Sequence, residues 1–346
     1  MIGRLIVDKG EPIMKKISVI IPCYNVSPYL ARLLDSLTAQ TIGIENLELI
    51  FVNDASTDDT YEKLLEIEKK FPEDVLVVNL PENGRQGKAR NIGLQYASCA
   101  YVGFIDADDY VETGMFQLLY EKAIKYDCDM TGGLVMHHVG QTSVQMPNHL
   151  KTESLVSVAD ENDRMDLILN GNNGGIVSKI YKKQMLTAHG LWFPEGTSFE
   201  DNYWLPMVCL YIDTYYICDR IVYHYVDQPH STVNQADLGS FDQRMNMEVQ
   251  KLHGYIQRGF FKTYYPGIEA LFCRSYYVDT LLGMYALRRD IPMEYYEKMR
   301  VEVAALFPGC MENRMLMEKD KKLLRTVFEP VTKERLEELL LEYARS

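Results

Sequence analysis

The chain has 346 residues, enough for roughly two domains or one large domain with an appendage. Hydrophobic residues make up 47% and charged residues 25%, a globular mixture that excludes wholesale disorder and collagen-like fibres. Lys and Arg number 36 against 49 Asp and Glu, and a net charge of −13 argues against nucleic acid as a partner, since phosphate backbones attract basic faces. No apolar run is long enough to span a bilayer, and residues 1–14 carry Asp8, Lys9, Glu11 and Pro12 in place of a signal-peptide core. A cytoplasmic location is therefore expected. The seven cysteines lie far apart with no C-x-x-C pair, as expected of reduced, mostly buried thiols.

Residues 1–14 show no periodicity and read as an extension, with Met14 the expected natural start. Residues 17–21 form a nearly continuous apolar run closed by Pro22, the pattern of a strand covered on both faces. Ser27-Pro28 predicts an N-cap and first-turn proline, followed by Leu30, Leu33, Leu34 and Leu37 at helical spacing. A second strand is predicted over 47–52, and Ser56-Thr57-Asp58-Asp59 carries a capping-box pattern opening a helix through Leu64 and Leu65. A strand over 75–78, a helix over 86–97, a strand over 101–105 and a helix over 113–126 follow. This alternation predicts an α/β fold, a Rossmann-like, mostly parallel sheet with helices on both faces.

After Asp129 the rhythm loosens. A short strand is predicted near 130–136, a polar mobile stretch over 140–163, a strand over 176–181, a short helix over 199–211, and two strands or a hairpin over the tyrosine-rich 214–226. From about Ser240 helical patterns dominate, including 277–288 and 333–343, which predicts a C-terminal α-helical appendage. The expected division is an extension (1–14), a first domain (15–235) and a helical region (236–346).

Ligands of open α/β sheets bind beyond the carboxyl ends of the strands. Those ends are polar here: Pro22-Cys23-Tyr24-Asn25, Asn53-Asp54-Ala55-Ser56, Glu82-Asn83-Gly84-Arg85 and Asp106-Ala107-Asp108-Asp109. Crowded carboxylates repel one another unless a cation or proton sits among them, and alternate residues of an extended segment share a side. Asp106 and Asp108 thus suit one Mg²⁺ or Mn²⁺ ion holding a diphosphate, the competing reading being a helix cap at Asp108-Asp109. The segment Gly84 to Arg90 lacks P-loop spacing, which leaves Arg85, Lys88 and Arg90 as phosphate-neutralising candidates or as a solvated helix face. Asp54 can accept from a ring N–H such as that of uracil, with Tyr24 against the base.

Four stretches taken together carry a resemblance: Ile17-Ser-Val-Ile-Ile-Pro-Cys-Tyr-Asn25, Phe51-Val-Asn-Asp-Ala-Ser-Thr-Asp58, Gly87-Lys-Ala-Arg-Asn-Ile-Gly93 and Phe104-Ile-Asp-Ala-Asp-Asp109. With Phe193-Pro-Glu195 and Glu200-Asp201 they resemble the family-two glycosyltransferases, inverting enzymes with the nucleotide-sugar-binding GT-A fold. The resemblance implies that residues 15–235 hold a nucleotide-sugar donor and an acceptor. The candidate donor contacts are Pro22, Tyr24, Asn25, Asp54, Arg85, Lys88, Arg90, Asp106, Ala107 and Asp108. Within that set Tyr24 and Asp54 match base contacts, Asp106 the carboxylate near the ribose, and Asp108 the metal-binding end of D-x-D. Asp201 matches the general base, against a reading in which Glu200-Asp201 only complements a helix dipole.

The implied reaction is in-line transfer of a sugar, with a UDP-sugar the first expectation, to a hydroxyl of a glycan or lipid-linked acceptor in bacterial surface polysaccharide synthesis. His224 and His230 lie where some GT-A enzymes supply a third metal ligand, although a histidine beside Tyr223 and Tyr225 is more often packed. Peripheral contact with an anionic membrane through Arg288, Arg289, Lys319, Lys321, Lys322 and Arg325, and self-association, are secondary expectations. Two other classes compete: a nucleotidyltransferase, which normally carries a glycine-rich loop after its first strand, and a non-catalytic sugar-nucleotide-binding scaffold of the same fold.

Overall fold

The structure, a computed structural model, describes residues 14–171, 175–228 and 237–345. Strands β1 (Ile17–Cys23), β2 (Leu47–Asn53), β3 (Val75–Asn79) and β4 (Tyr101–Phe104) pair in parallel in the order β3-β2-β1-β4. Every residue of β1 is buried, because β1 is central and helices cover both faces. The strand order reverses between β1 and β4, which opens a crevice at their carboxyl ends.

Helices α1 (Leu30–Thr38), α2 (Thr60–Lys70) and α3 (Arg85–Tyr96) connect these strands. Two start later than the sequence suggests. Ser27 is not the cap of α1; its hydroxyl accepts from Lys63 Nζ, and Tyr29 stands at the cap position. Ser56 and Thr57 do not open α2, because the loop after β1 uses them first: Asn25 N–H donates to Ser56 Oγ (3.1 Å) and Thr57 N–H donates to Asn25 Oδ1 (2.8 Å). Capping chemistry is present but serves to tie two strand ends together.

The second half inserts antiparallel pairs. After β5 (Tyr110–Val111), α4 (Met115–Tyr126), β6 (Met130–Val139), β7 (Thr142–Gln145), β8 (Leu155–Ser157) and α5 (Glu161–Asn170) come β9 (Lys179–Lys182), α6 (Lys183–Ala188), α7 (Glu200–Cys209) and β10 (Thr214–Val226). The order continues β4-β9-β6-β10-β5, with β9 antiparallel to both neighbours, β6 and β10 parallel, and β7 and β8 attached to β6 and β10. Two expectations change here. Residues 140–163 are not one irregular stretch, since β7, β8 and the start of α5 lie within them. Residues 214–226 form a single strand, and the exposed Asp219-Arg220 pair, which looks like a turn, sits where the pairing with β6 shifts register as a bulge.

Helix α7 is held at its middle and at its C-terminal end. Trp204 is fully buried, stacks on Phe193 (centroids 4.4 Å apart) and packs edge-on against Phe104 and Tyr181. At the far end Arg164 Nη1 donates to the carbonyls of Cys209 (2.9 Å) and Ile212, and its Nη2 pairs with Asp213 (2.7 Å).

The C-terminal region is helical as expected: α8 (Leu238–Gln257), α9 (Tyr265–Phe272) continuing through a π-helical turn (Cys273–Val278) into α10 (Asp279–Arg288), then α11 (Met293–Leu306), α12 (Glu318–Phe328) and α13 (Lys333–Arg345). One contiguous apolar core runs through the sheet layers and these helices. All seven cysteines are buried and none is in a disulfide. Among the described residues no helix is long and apolar enough to cross a membrane.

Gly93 is where α3 presses closest on the sheet, since a Cβ there would collide with the Ile20 side chain of β1. Gly93→Ala should therefore cost about 1–3 kcal/mol in denaturant unfolding, as overpacking does. Ile20→Ala, which makes room, should render the double variant more stable than the two single losses predict when added.

Candidate active site

The crevice between β1 and β4 is built from loops that hold one another. Asn25 adopts a left-handed backbone (φ 53), which asparagine tolerates, and its Oδ1 also accepts from Asp58 N–H (3.3 Å). Next to it Asp54 N–H donates to the Cys23 carbonyl (2.8 Å), and Asp54 Oδ1 accepts from Gly84 N–H (2.8 Å). Burial pushes the Asp54 carboxyl up, while the amide bonds and nearby Lys88 pull it back. Pro22 is buried within β1, whereas Tyr24 is 47% exposed at the crevice mouth. Pro22, Tyr24, Asn25 and Asp54 thus lie on two strand ends that hold one another, and of these the sequence reading assigns Tyr24 and Asp54 to the base.

Beyond β4, Ala107 is buried and the three carboxylates diverge in role. Asp109 is fully buried: Tyr223 OH donates to its Oδ2 (2.6 Å) and Val226 N–H to its Oδ1 (2.8 Å). Burial, then the charges of Asp106 and Asp108, push it up to about 8. It braces the segment against β10, and α4 begins only at Met115, so the helix-cap reading of Asp108-Asp109 is not realised. Tyr223 OH in turn accepts from Asp106 N–H (3.2 Å). Asp108 is pushed up to about 6 by burial and by Asp106, and among the described residues its carboxylate takes no hydrogen bond from another residue. Its carbonyl accepts from Arg32 Nη2.

Arg90 lies at the centre of the arrangement. It is 2% exposed; Nη2 donates to Asp106 Oδ1 (2.7 Å) and Gln86 Oε1 (3.2 Å), and Nη1 pairs with Glu200. Burial disfavours the charged guanidinium, but Asp106, Glu200 and Asp201 outweigh it and hold the proton more firmly than usual. Asp201 sits in the first turn of α7, after Phe199 in a left-handed conformation (φ 65). Burial and Glu200 push Asp201 up to about 6, Arg90 opposes, and Asp106 adds to the rise. Asp106 and Asp201, far apart in sequence, therefore share one electrostatic neighbourhood.

The other basic candidates are differently engaged. Lys88 pairs loosely with Glu82 (3.4 Å), and Arg85 Nη1 donates to Ser198 Oγ (2.6 Å) and Gln243 Oε1 (3.2 Å). Arg90, grouped with them from sequence as a phosphate contact, is instead occupied by carboxylates. His224 stacks on Tyr110 (4.3 Å), and its ring nitrogens meet Glu112 Oε1 (2.7 Å) and His138 Nε2 (2.8 Å), so both are occupied by protein partners. His230 lies outside the described residues. Among the described residues no group of three or more His, Cys, Asp or Glu side chains converges to hold a metal. Sequence reasoning missed Tyr223, His138 and Asn91; only Asn91 stood in a quoted motif.

Two variants test this electrostatic arrangement. Arg90→Ala leaves Glu200 and its neighbours uncompensated and should cost about 3–5 kcal/mol in denaturant unfolding. Asp108 has a folded-state pKa above the unfolded value of about 4, so the stability it contributes is present below that pH and lost as pH rises through about 6. Asp108→Asn in cation-free buffer should therefore leave Tm little changed at pH 4 and raise stability at pH 8 by roughly 1–3 kcal/mol.

Comparison with known proteins agrees with this fold. The family model described as Glycosyl transferase family 2 matches residues 18–181. The "Uncharacterized glycosyltransferase EpsJ" of Bacillus subtilis is 25% identical over 82% of each chain. Staphylococcus aureus TarS, a poly(ribitol-phosphate) beta-N-acetylglucosaminyltransferase, is 31% identical over 53% of this chain and 30% of its own length. The chain thus spans most of one relative and under a third of the other. A crystal structure of TarS 1-349 with UDP-GlcNAc superposes with a TM-score of 0.70 at 20% identity, covering 95% of this chain and 92% of that one. A mannosyltransferase from Pyrobaculum calidifontis in complex with GDP-Man and Mn²⁺ matches at 0.52 and 14% identity, covering 96% and 87%. With the strand-end motifs and the GT-A architecture, these findings identify residues 18–181 as a family 2 glycosyltransferase region.

Proposed function

We propose that the chain moves a sugar, with inversion, from a UDP-sugar to a hydroxyl of a glycan or lipid-linked acceptor of a bacterial surface polymer. The observation that carries this reading is the buried Arg90 bridge, which sets the donor-side carboxylate Asp106 and the base-bearing turn Glu200-Asp201 against one guanidinium. The UDP preference draws support from the nucleotide named with TarS, and the acceptor class from the polymer in that relative's name. Residues 15–235 would carry donor and acceptor, and 236–346 would buttress them through α8.

Tyr24 lies open at the crevice mouth where a base could rest on its ring, and Asp54 faces the same loops with one oxygen already fixed by Gly84. Asp201 would take the acceptor proton as that oxygen attacks the anomeric carbon; a carboxylate raised to about 6 is a stronger base than an ordinary one and is still ionised at neutral pH. Arg90 keeps Glu200 paired, so that Asp201 is the acidic group of α7 left available for proton transfer. The residues also fit a divalent ion. Asp106 and Asp108 offer hard oxygen donors, and burial and the charge of Asp106 leave the Asp108 carboxylate destabilised although Arg32 offsets part of the rise. A bound Mg²⁺ or Mn²⁺ would supply Lewis-acid charge to the departing diphosphate. The nucleotidyltransferase alternative lacks support, since Cys23-Tyr24-Asn25-Val26 is not the glycine-rich basic loop such enzymes carry after the first strand.

Asp201→Asn should retain UDP affinity by isothermal titration while UDP release with donor and acceptor falls roughly 10²- to 10⁴-fold. Turnover near the unmodified rate would refute the assignment of the base.

A further inference from the structure

The segment 191–199, which leads into Asp201, has no helix or strand of its own, and it turns through left-handed Gly196 (φ 69) and Phe199 (φ 65). Such a segment has many accessible conformations, so something else must fix it. Helix α3 and the residue before it meet it repeatedly. Asn91 is 3% exposed; its Oδ1 accepts from Phe193 N–H (2.8 Å), and its Nδ2 donates to the Phe193 carbonyl (2.9 Å) and to Glu195 Oε1 (2.8 Å). Gly87 has no room for a Cβ, because the Pro194 carbonyl occupies that space. Gly196 N–H donates to the Gly84 carbonyl (3.4 Å), Arg85 reaches Ser198, and Arg90 reaches Glu200.

We propose that α3 is the template on which the base-bearing turn is assembled, with Asn91 as its principal positioning residue. The Asn91 amide satisfies both main-chain groups of Phe193 the way a neighbouring strand would, fixing the start of the segment while Arg90 fixes its end. Buried between α3 and residues 193–195, Asn91 acts through them and not on the substrate. Its role differs from that of Tyr24 or Asp54: it sets where Asp201 points, not how tightly the nucleotide is held. This rests on the transferase reading of Asp201, so the test separates the two.

The experiment compares the unmodified chain with Asn91→Ala, and with Gly87→Ala, which pushes on Pro194 from the same helix. Steady-state UDP release, UDP titration calorimetry with Mn²⁺, and amide hydrogen exchange over 193–201 are measured well below each Tm. Misplacing a reacting group by about 1 Å costs on the order of 10²-fold in rate, so kcat should fall roughly 10- to 100-fold. KM for donor and Kd for UDP should stay within about twofold, and exchange should quicken over 193–201. A folded Asn91→Ala chain with kcat within about threefold of the unmodified rate, or a rise in KM that parallels the loss in kcat, overturns the proposal. Unchanged exchange over 193–201 in either variant overturns it as well, and does so even if the unmodified chain shows no transfer, a result that by itself counts only against the transferase reading.

Discussion

A buried arginine needs carboxylates, and in this fold the carboxylates that Arg90 meets come from two places the chain must bring together. Asp106 follows β4, Glu200 opens α7, and the guanidinium between them is almost shut off from water. Removing charges from water is costly, so such an ion pair persists only where its geometry is fully met, and breaking one partner leaves the others unpaired. The rest of the site depends on that constraint. It ties the turn that bears Asp201 to the carboxylates after β4, and it fixes the N-terminus of α7, whose other end Arg164 holds.

The carboxylates share a charge surplus that the protein neutralises only in part. Arg90 compensates Asp106 and Glu200, whereas Asp109, despite its bonds from Tyr223 and Val226, stays pushed up to about 8, and Asp108 and Asp201 to about 6. A ligand that brings positive charge to Asp108, or gives up a proton to Asp201, relieves that strain. Residues raised in this way by burial and like charge cluster where chemistry is done. Such a site also opposes stability at neutral pH, the reverse of what a purely structural cluster would be selected for.

The parallel half of the sheet was legible because its strands are buried on both faces and read as uninterrupted apolar runs, while its helices repeat leucine at helical spacing. The motifs at the strand ends were legible for the same reason: polar residues stand out sharply after apolar ones. Much less could be read after Asp129. The strand expected over 176–181 is present as β9 at Lys179–Lys182, but it joins β4 to β6 by antiparallel pairing that no local pattern announces. Residues 214–226 read as two strands or a hairpin because an exposed polar pair in a bulge, Asp219-Arg220, has the composition of a turn. Arg90 was misassigned for a related reason, since a basic residue beside a predicted phosphate site gives no sign that buried carboxylates already occupy it. His224 met its partner His138 only through the register of β6 against β10.

The most direct test of a shared site is spectroscopic. Mn²⁺ added with UDP to isotope-labelled protein should broaden, by paramagnetic relaxation, the amide resonances of Asp106 to Asp108 and of Glu200 to Asp201 together, while those of α12 and α13 stay sharp. Broadening confined to the β4 end, with Glu200 and Asp201 unaffected, would contradict the account, because the ion and the base would then not face one cavity.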